Sequence, residues 1–162
     1  MKEPLNRIQS LPPIIDQSCT RLILGSIPGE VSLAKQEYYG HPQNAFWRIL
    51  FALYETAPTE SYAEKQAFLL SHHIALWDVI GACQREGSLD QHIQNAVAND
   101  FASLFREYPS ISRIYFNGAK AFDTYRVHVG FDPGRTYTRL PSTSPAHAVP
   151  FEQKLSAWHD LL

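Results

Sequence analysis

The segment Thr20-Arg21-Leu22-Ile23-Leu24-Gly25-Ser26-Ile27-Pro28-Gly29 decides which fold the chain is expected to adopt. Its first half is a short apolar run that stops at Gly25, and such a run predicts a buried β-strand. Its second half is a loop in which two glycines and a proline set the backbone shape. In open α/β sheets, ligands bind beyond the carboxyl ends of the strands, so this loop is a candidate ligand site.

Similar patterns recur along the chain and predict an alternation of strands and helices. Apolar or alternating segments predict further strands over 74–80, 114–116 and 136–140. Helices are predicted over 44–53, 61–71, 89–97, 101–108, 119–129 and 151–162, with Ser61, Ser88 and Asn99 as candidate N-caps. We therefore expect a three-layer α/β/α fold with a short, mainly parallel four-stranded sheet.

Length and composition indicate one globular domain. The chain has 162 residues, of which 44% are hydrophobic and 19% are charged, and these values suit a domain with a substantial core. Residues 1–162 are therefore expected to form a single domain. The sequence shows no apolar signal core and no apolar run of membrane-spanning length, which predicts a cytoplasmic protein without a membrane anchor. Cys19 and Cys83 lack the spacing of a metal site, so no metal is expected.

The charge balance limits how the chain would contact nucleic acid. The formal net charge of -2 argues against binding through global attraction, since strongly basic domains are the usual electrostatic footprint of such binding. Any contact with DNA is therefore expected to be local. The candidate phosphate partners are the basic residues Lys35, Arg48, Lys120, Arg126, Arg135 and Arg139, although scattered basic residues are more often ordinary surface.

Two further segments carry side chains with useful chemistry. They are His41-Pro42-Gln43-Asn44-Ala45-Phe46-Trp47 and Leu140-Pro141-Ser142-Thr143-Ser144-Pro145-Ala146-His147-Ala148. The loop at 25–29 is a weak signal alone, because its glycines are equally explained by a tight turn and its spacing is not that of a triphosphate-binding loop. Together, the three segments resemble the uracil-DNA glycosylase superfamily, most closely its hypoxanthine-DNA (deoxyinosine) glycosylase branch. The resemblance covers nearly the whole chain.

The resemblance implies a monofunctional DNA glycosylase that needs no cofactor. Such an enzyme flips a deaminated base, here hypoxanthine, out of double-stranded or single-stranded DNA and hydrolyses its N-glycosidic bond. It is expected to act as a monomer. Two alternatives stay open: the same mechanism directed at uracil or mismatched thymine, and a non-catalytic module that binds damaged DNA. An unrelated α/β enzyme acting on nucleotides or other phosphorylated small molecules is a third.

Asn44 is the predicted catalytic residue. Most of the superfamily carries an asparagine or aspartate in the first loop, whereas this sequence has Ser26 there, and the hypoxanthine branch is similar in using the asparagine of the HPxNxFW pattern. An oxocarbenium-like sugar needs a positioned water more than a strong base, which an amide can supply. Asn44 is equally suited to cap the following helix. Ser26 and His147 are predicted as further catalytic residues, with His147 stabilising charge on the leaving base.

Four residues are predicted to hold the base. The resemblance implies that Phe46 stacks on the extruded base and that the backbone around Ile27 lies near it. Asn117 follows a buried strand and is a candidate contact with the base edge or a phosphate, although an Asn-Gly pair equally favours a turn or a helix cap. Tyr39, the fourth, either lines the pocket or rigidifies the long loop. Asp78 ends the second predicted strand and either acts on the sugar cation or ties down a loop.

The remaining predicted residues contact DNA. By resemblance, the segment at 140–148 enters the minor groove, where Ser142 and Ser144 would contact phosphates. Pro145 and Ala146 would form a stiff wedge in the gap left by the flipped nucleotide. Further contacts are assigned to the loops around the pocket, namely Gly25, Pro28, Gly29 and His41.

Overall fold

A computed structural model describes residues 7–162 of the protein. The strands are β1 (Arg7–Gln9), β2 (Arg21–Gly25), β3 (Ile74–Asp78), β4 (Ile80–Gln84), β5 (Gln94–Ala98), β6 (Arg113–Asn117) and β7 (Thr136–Leu140). The α-helices are α1 (Glu30–Lys35), α2 (Phe46–Leu53), α3 (Tyr62–Ser71), α4 (Phe101–Glu107), α5 (Ala119–His128) and α6 (Phe151–Trp158), with short 3-10 turns at Asp90–His92 and His159–Leu161.

A four-stranded sheet in the order β3-β2-β6-β7 forms the centre of the molecule. All of its neighbouring strands are parallel, so the predicted sheet is confirmed. Alternate residues of β2 point to opposite faces. Leu22 and Leu24 pack with α4 and α5, whereas Ile23 packs with α2, α3 and α6. Helices thus cover both faces, which confirms the three-layer arrangement.

A second, antiparallel sheet of order β1-β4-β5 was not predicted. The run 74–80 was expected to be one strand, but the chain leaves the parallel sheet at Val79. The Val79 N–H donates to the Gly25 carbonyl at 2.8 Å, and the Ile80 N–H donates to the Ser26 carbonyl at 3.0 Å. An apolar run cannot by itself show where a strand changes sheets. This exchange brings the second sheet directly beneath the loop after β2.

The helix predicted over 89–97 is wrong. This segment forms the 3-10 turn Asp90–His92 and then β5, which pairs with β4. Its apolar residues recur at helical spacing, but the structure buries Ile93 and Ala96 against the small cluster of Ile27, Ile80 and Cys83. Tertiary pairing overrides the local pattern here. The short helix α1 was not predicted.

Capping follows the sequence in part. The Ser61 side chain caps α3 as predicted, accepting from the Glu64 N–H at 3.2 Å. The cap of α4 is Asp100 rather than Asn99. The helix predicted after Ser88 does not form, so Ser88 does not have the predicted capping role. Among residues 7–162, no helix combines the length and apolarity that crossing a membrane requires.

The parallel sheet brings four strand ends to one edge. β2, β3, β6 and β7 finish there with Gly25, Asp78, Asn117 and Leu140. The loops that follow these strands, together with the loop before α2, surround this edge. All three sequence motifs therefore lie at the place where α/β proteins bind ligands.

Candidate active site

Gly25 lies at the centre of this edge and has no room for a side chain. A Cβ at Gly25 would lie 2.6 Å from Asp78 Oδ1 and 2.9 Å from Tyr39 Oη. Both distances are shorter than real Cβ atoms show, so glycine is required by the close approach of these two polar groups. The first loop (residues 25–29) therefore starts directly against Asp78 and Tyr39.

Buried polar atoms without partners surround Gly25. Asp78 is only 3% exposed, and within residues 7–162 its Oδ2 and the Tyr39 hydroxyl accept or donate no hydrogen bond. Burial raises the pKa of Asp78 to about 8, and the charge of Asp90 raises it as well, while Arg85 opposes the shift. A buried carboxyl with such a pKa is mostly protonated at neutral pH and acts as a hydrogen-bond donor. Native proteins rarely leave such atoms unsatisfied, so these two atoms mark an unusual place in the structure.

Tyr39, rather than Phe46, is the aromatic ring that faces the site. The two rings stack with centroids 4.1 Å apart. Phe46 has no exposed surface and is contacted edge-on by Trp47 and Trp158. Direct stacking of a base on Phe46 therefore needs correction: Phe46 supports Tyr39, which is partly exposed. Tyr39 has a φ of 54°, a left-handed conformation that is unusual for a bulky residue and is found at functional sites.

The rest of the loop between α1 and α2 is rigid. Tyr38 is buried, its hydroxyl donates to the Pro12 carbonyl at 2.8 Å, and its own carbonyl accepts from Trp47 Nε1 at 2.9 Å. His41 is exposed, and its Nδ1 accepts from the Gln43 N–H at 3.1 Å. This bond stabilises the loop, and the contact of His41 with DNA stays a prediction.

Asn44 precedes α2 and lies beside the C-terminal loop (residues 141–149). The N-cap of α2 is Ala45, one residue after the candidate cap Asn44, but the Asn44 Oδ1 accepts from the N–H of Phe46, the first residue of α2, at 3.0 Å. The next residue, Ala45, donates its N–H to the Thr143 carbonyl at 3.0 Å. The two motifs therefore meet on the same side of the molecule. The Asn44 side chain keeps a second acceptor lone pair and its amide N–H groups for a water or a ligand.

Asn117 joins the end of β6 to the C-terminal loop. Its Nδ2 donates to Thr143 Oγ1 and its Oδ1 accepts from the Thr143 N–H, both at 2.9 Å. The Asn117 amide also lies beside the Tyr39 hydroxyl, where it opposes the rise in the pKa of Tyr39 that burial and the charge of Asp78 cause. Asn117 thus holds the site together. Thr143 is 1% exposed and was not singled out in the sequence, because a threonine between two serines resembles ordinary loop composition.

The C-terminal loop closes turns within itself. Ser142 Oγ accepts from the Ser144 N–H at 3.1 Å, and Ser144 Oγ accepts from the Ala146 N–H at 3.2 Å. Such serine turns fix the backbone locally. Pro145, Ala146 and His147 are exposed at the tip. The loop therefore presents a short, rigid projection, which suits the predicted wedge, whereas the two serine oxygens are already engaged inside the loop.

Helix α6 supports this loop from below. Lys154 is 4% exposed, and its Nζ donates to the Ser144 carbonyl at 3.0 Å. Burial and the nearby charge of Arg48 lower the pKa of Lys154. One turn further along α6, Trp158 Nε1 donates to the Pro141 carbonyl at 2.9 Å. No sequence motif points to Lys154. Its only signal was the four-residue spacing from Trp158, which places both side chains on one helix face.

A cleft of about 380 Å³ lies between the C-terminal loop and the start of α5. It is lined by Gly118, Ala119, Arg139, Leu140, Pro141, Ser142 and His147. Gly118 has a φ of 97°, and a Cβ there would lie 3.1 Å from the Ser142 Cβ. The glycine thus lets the loop approach the N-terminus of α5, where backbone N–H groups favour an anion. With the exposed Arg139 on its wall, the cleft suits a phosphate group.

Most of the other basic residues proposed for phosphate contact are engaged elsewhere. Arg135 pairs with Asp132, Arg126 pairs with its neighbour on α5, Lys35 donates to the Gly40 carbonyl at 2.9 Å, and the Arg48 guanidinium lies 4.5 Å from the centre of the Phe151 ring. Arg139 is the basic residue of this set that the cleft places at the site.

The first loop is fixed by a third loop (residues 85–92) that precedes β5. Arg85 is 2% exposed and donates to the Pro28 carbonyl at 2.7 Å and to the Gly87 carbonyl at 2.8 Å. Ser88 Oγ accepts from the Glu30 N–H at 2.9 Å. A Cβ on Gly29 would lie 3.3 Å from the same oxygen. The first loop is therefore held in one shape before any ligand binds.

The side chains of the first loop point in different directions. Ile27 is buried against the second sheet, so only its backbone remains for the site. The Ser26 hydroxyl donates to Asp90 Oδ1 at 2.7 Å. Asp90 and Arg85 were not singled out in the sequence because their segment was predicted as a helix. Within residues 7–162, no group of three or more His, Cys, Asp or Glu side chains is arranged to hold a metal ion.

Comparisons with known proteins agree with this arrangement. The family model of the uracil DNA glycosylase superfamily matches residues 12–162. A protein of Methanosarcina barkeri (strain Fusaro) named hypoxanthine DNA glycosylase is 41% identical over 153 residues, which cover 93% of this chain and 94% of the relative. A protein of Methanosarcina acetivorans with the same name is 37% identical over 151 residues, with the same two coverages.

A solved structure shows the same fold. It is a solution NMR structure of a protein from Methanosarcina acetivorans, described as a candidate uracil DNA glycosylase. It superimposes with a TM-score of 0.84 and 34% sequence identity over 96% of both chains. Family model, relatives and fold agree over nearly the whole length, and the chain belongs to the uracil DNA glycosylase superfamily.

Proposed function

We propose that this protein is a monofunctional DNA glycosylase that removes hypoxanthine from deoxyinosine in DNA and leaves an abasic site. The observation that carries the proposal is the meeting of the three motifs at one sheet edge, where Thr143 is hydrogen-bonded to both Ala45 and Asn117. The names of the two Methanosarcina relatives support the choice of base. A monomer is sufficient, because one chain supplies every part of the site.

The flipped base is expected to lie against the Tyr39 ring, above the buried Phe46. Hypoxanthine, like guanine, accepts hydrogen bonds at O6 and N7. The protonated Asp78 carboxyl and the Tyr39 hydroxyl are donors that lack partners. An acceptor edge of the base would satisfy them, and reading a flipped base by stacking and hydrogen bonds is the usual mode of such enzymes.

The reaction needs a water at the sugar carbon and a stabilised leaving base. Asn44 orients the water with its amide, while its Oδ1 stays on the Phe46 N–H. The water oxygen bonds to C1′ as the bond from C1′ to the base nitrogen breaks, and the electron pair of that bond moves onto the purine. Fixed hydrogen-bond donors aimed at the purine stabilise this negative charge and so lower the activation barrier of the reaction. His147, exposed at the loop tip, is proposed to lie near the leaving base or sugar.

Contacts with DNA are proposed to be few and local. The exposed tip at Pro145 and Ala146 would fill the gap left by the flipped nucleotide. A flanking phosphate would lie in the cleft at the start of α5, beside Arg139. The residues that hold the first loop and the C-terminal loop keep both elements in place without touching DNA. Such a site accommodates either single-stranded or double-stranded substrates.

A lesion-panel assay tests the function. Single-turnover release of hypoxanthine, xanthine, uracil and mismatched thymine is measured from oligonucleotides of identical sequence, both single-stranded and duplex. Release of hypoxanthine faster than of any other base is expected. Faster release of uracil or thymine would establish the pyrimidine alternative, and tight lesion binding with no base release would establish a non-catalytic module.

A further inference from the structure

We propose that Asp90 is a positioning residue for the reaction: through Ser26, it holds the attacking water in place of the acidic or amide side chain that the first loop lacks. The inference rests on the proposed function, since it requires a water that attacks the sugar. It assigns a role to the third loop, which none of the sequence motifs includes.

The geometry places the Ser26–Asp90 pair at the site. Ser26 follows Gly25, whose Cα faces both Asp78 and Tyr39. The Ser26 hydroxyl donates to Asp90 Oδ1 at 2.7 Å, so its oxygen lone pairs are left to accept a hydrogen bond. Asp90 is close enough for its charge to act on both Asp78 and Tyr39. The carboxylate therefore lies near the proposed base pocket although it comes from another loop.

The third loop holds Asp90 firmly. Arg85 and Ser88 tie the loop to the first loop, and the 3-10 turn starting at Asp90 closes with the Ile93 N–H donating to the Asp90 carbonyl at 3.1 Å. A fixed position is what a group that orients water requires, because small displacements cost large factors in rate. Asp90 is thus built into the scaffold of the first loop.

The charge of Asp90 is hard to explain by binding alone. Asp90 is exposed, and among residues 7–162 no basic side chain forms an ion pair with it. An unpaired carboxylate on a surface that approaches DNA repels the phosphates and weakens association. A carboxylate at this position would instead favour a reaction in which the sugar develops positive charge.

The step balances without a further reactant. As the water oxygen bonds to C1′, the bond between C1′ and the base nitrogen breaks and its electron pair leaves with the purine. One water proton passes to the Ser26 oxygen while the serine proton passes to the Asp90 carboxylate. Asn44 contacts the same water through its amide. Asp90 ends protonated and is returned to the carboxylate by solvent.

The test compares Asp90→Asn, Ser26→Ala and the double variant. Glu86→Gln, which removes an exposed acidic group from the same loop, is the matched control. Single-turnover release of hypoxanthine is measured together with the Kd for a duplex that carries a non-cleavable 2′-fluorinated deoxyinosine analogue. Ser26→Thr, which keeps the hydroxyl, serves as the conservative variant.

We expect Asp90→Asn to slow base release about 100-fold, the contribution typical of a positioned proton acceptor, while its Kd stays equal or becomes tighter. Ser26→Ala should slow release similarly, the double variant should be no slower than the slower single variant, and Ser26→Thr should restore much of the rate. The inference about Asp90 would be overturned if Asp90→Asn released hypoxanthine as fast as the wild type. It would also be overturned if the rate losses of Asp90→Asn and Ser26→Ala multiplied in the double variant. Neither result would affect the proposed function. A wild-type protein that releases no base from any lesion would instead overturn the proposed function.

Discussion

Asn44 is the residue at which a structural role and the proposed chemical role meet. Its Oδ1 accepts from the Phe46 N–H at the start of α2, and the next residue, Ala45, donates its N–H to the Thr143 carbonyl of the C-terminal loop. Asparagine is among the best N-cap residues, so the capping role alone explains its presence in a helix-start pattern. Only a measurement that separates stability from rate distinguishes the two roles.

Replacing Asn44 by alanine should affect both quantities by different amounts. We expect Asn44→Ala to lower the free energy of unfolding by about 1 kcal/mol, because the Phe46 N–H at the start of α2 loses its acceptor. The variant should also slow single-turnover base release about 100-fold or more, because the water is no longer oriented. Urea unfolding and single-turnover assays measure the two effects. The Kd for the lesion should change little.

Asn44→Ser is the matched control, since serine caps a helix equally well but has no carboxamide. This variant should regain the stability of the wild type without regaining its rate. If Asn44→Ala released hypoxanthine as fast as the wild type, Asn44 would be a cap and nothing more.

The buried carboxyl of Asp78 makes stability depend on pH. Its pKa is raised to about 8 by burial, whereas an aspartate in an unfolded chain has a pKa of about 3.9. Between these values the unfolded state has released a proton that the folded state keeps. The contribution of Asp78 is therefore fully present at low pH and falls by up to about 1.4 kcal/mol per pH unit as the pH rises toward 8.

Asp78→Asn, which imitates the protonated carboxyl, should remove this dependence. Urea unfolding at pH 5 and pH 7.5 measures it: the wild type should lose stability relative to the variant over this interval. If the free energy of unfolding changed equally in the wild type and in Asp78→Asn between pH 5 and pH 7.5, Asp78 would be ionised in the folded protein. The neutral Asp78 carboxyl is the proposed hydrogen-bond donor to the base. Hypoxanthine release by the wild type should therefore also decline above about pH 8, where this carboxyl loses its proton.

At the scale of elements, α6 sets the position of the C-terminal loop. Lys154 donates to the Ser144 carbonyl and Trp158 donates to the Pro141 carbonyl. The two bonds support the loop on both sides of Thr143. A buried lysine is costly unless it is hydrogen-bonded, so its presence on the inner face of α6 indicates that the loop position matters.

Lys154→Met should separate loop position from overall stability. Methionine fills similar space without a buried charge, so we expect the free energy of unfolding to change by less than about 1 kcal/mol. Lesion capture should weaken by about tenfold or more, since the loop loses a support. Fluorescence of a reporter base next to deoxyinosine measures flipping.

The control is Lys65→Met on α3, where the ammonium lies over the Trp47 ring. It should leave flipping unchanged. Equal flipping kinetics in Lys154→Met and the wild type would show that α6 does not control the loop.

The sequence predicted elements well where local and tertiary preferences agree. The buried strand before Gly25 and the amphipathic helix after Asn44 are found within two residues of the predicted bounds. The segment 89–97 was wrong, because helical spacing of apolar residues cannot show that β4 offers an edge for pairing. For the same reason no motif pointed to Asp90, whereas motifs pointed to Ser26, Asn44 and the C-terminal loop, whose roles stay predictions.

The sequence could not predict which residues of the different motifs contact one another in the site. Tyr39 and Phe46 are both aromatic in the sequence, and only packing shows which one is buried. Thr143 becomes important through its bonds to Ala45 and Asn117, which lie far from it along the chain. Such contacts depend on strand order, which a resemblance implies but composition does not determine.

At the scale of the whole molecule, we expect DNA to contact only a small part of the surface. Its net charge is -2, and of the basic residues considered, Arg139 is the one placed in the cleft at the start of α5. Affinity for DNA falls with salt in proportion to the number of phosphates that are neutralised. A protein with few such contacts should therefore show a shallow salt dependence.

We expect log K against log salt concentration to have a slope of about -2 to -3, and Arg139→Ala to reduce its magnitude by about 1. Fluorescence anisotropy with a labelled duplex over a range of NaCl concentrations measures both slopes. Arg126→Ala, which removes a charge from the far end of the same helix α5, should leave the slope unchanged. A steep slope in the wild type, or an equal slope in Arg139→Ala, would contradict local binding.

The serine turns of the C-terminal loop have a consequence for how lesions are found. Because Ser142 and Ser144 close turns on their own backbone, the tip has lost its conformational freedom by the time the chain has folded. Each encounter with undamaged DNA then requires little further ordering of the protein. With the proposed wedge, a search that samples many intact nucleotides for each damaged one would use the same rigid probe every time, and the difference between sites would arise from how easily the DNA itself opens.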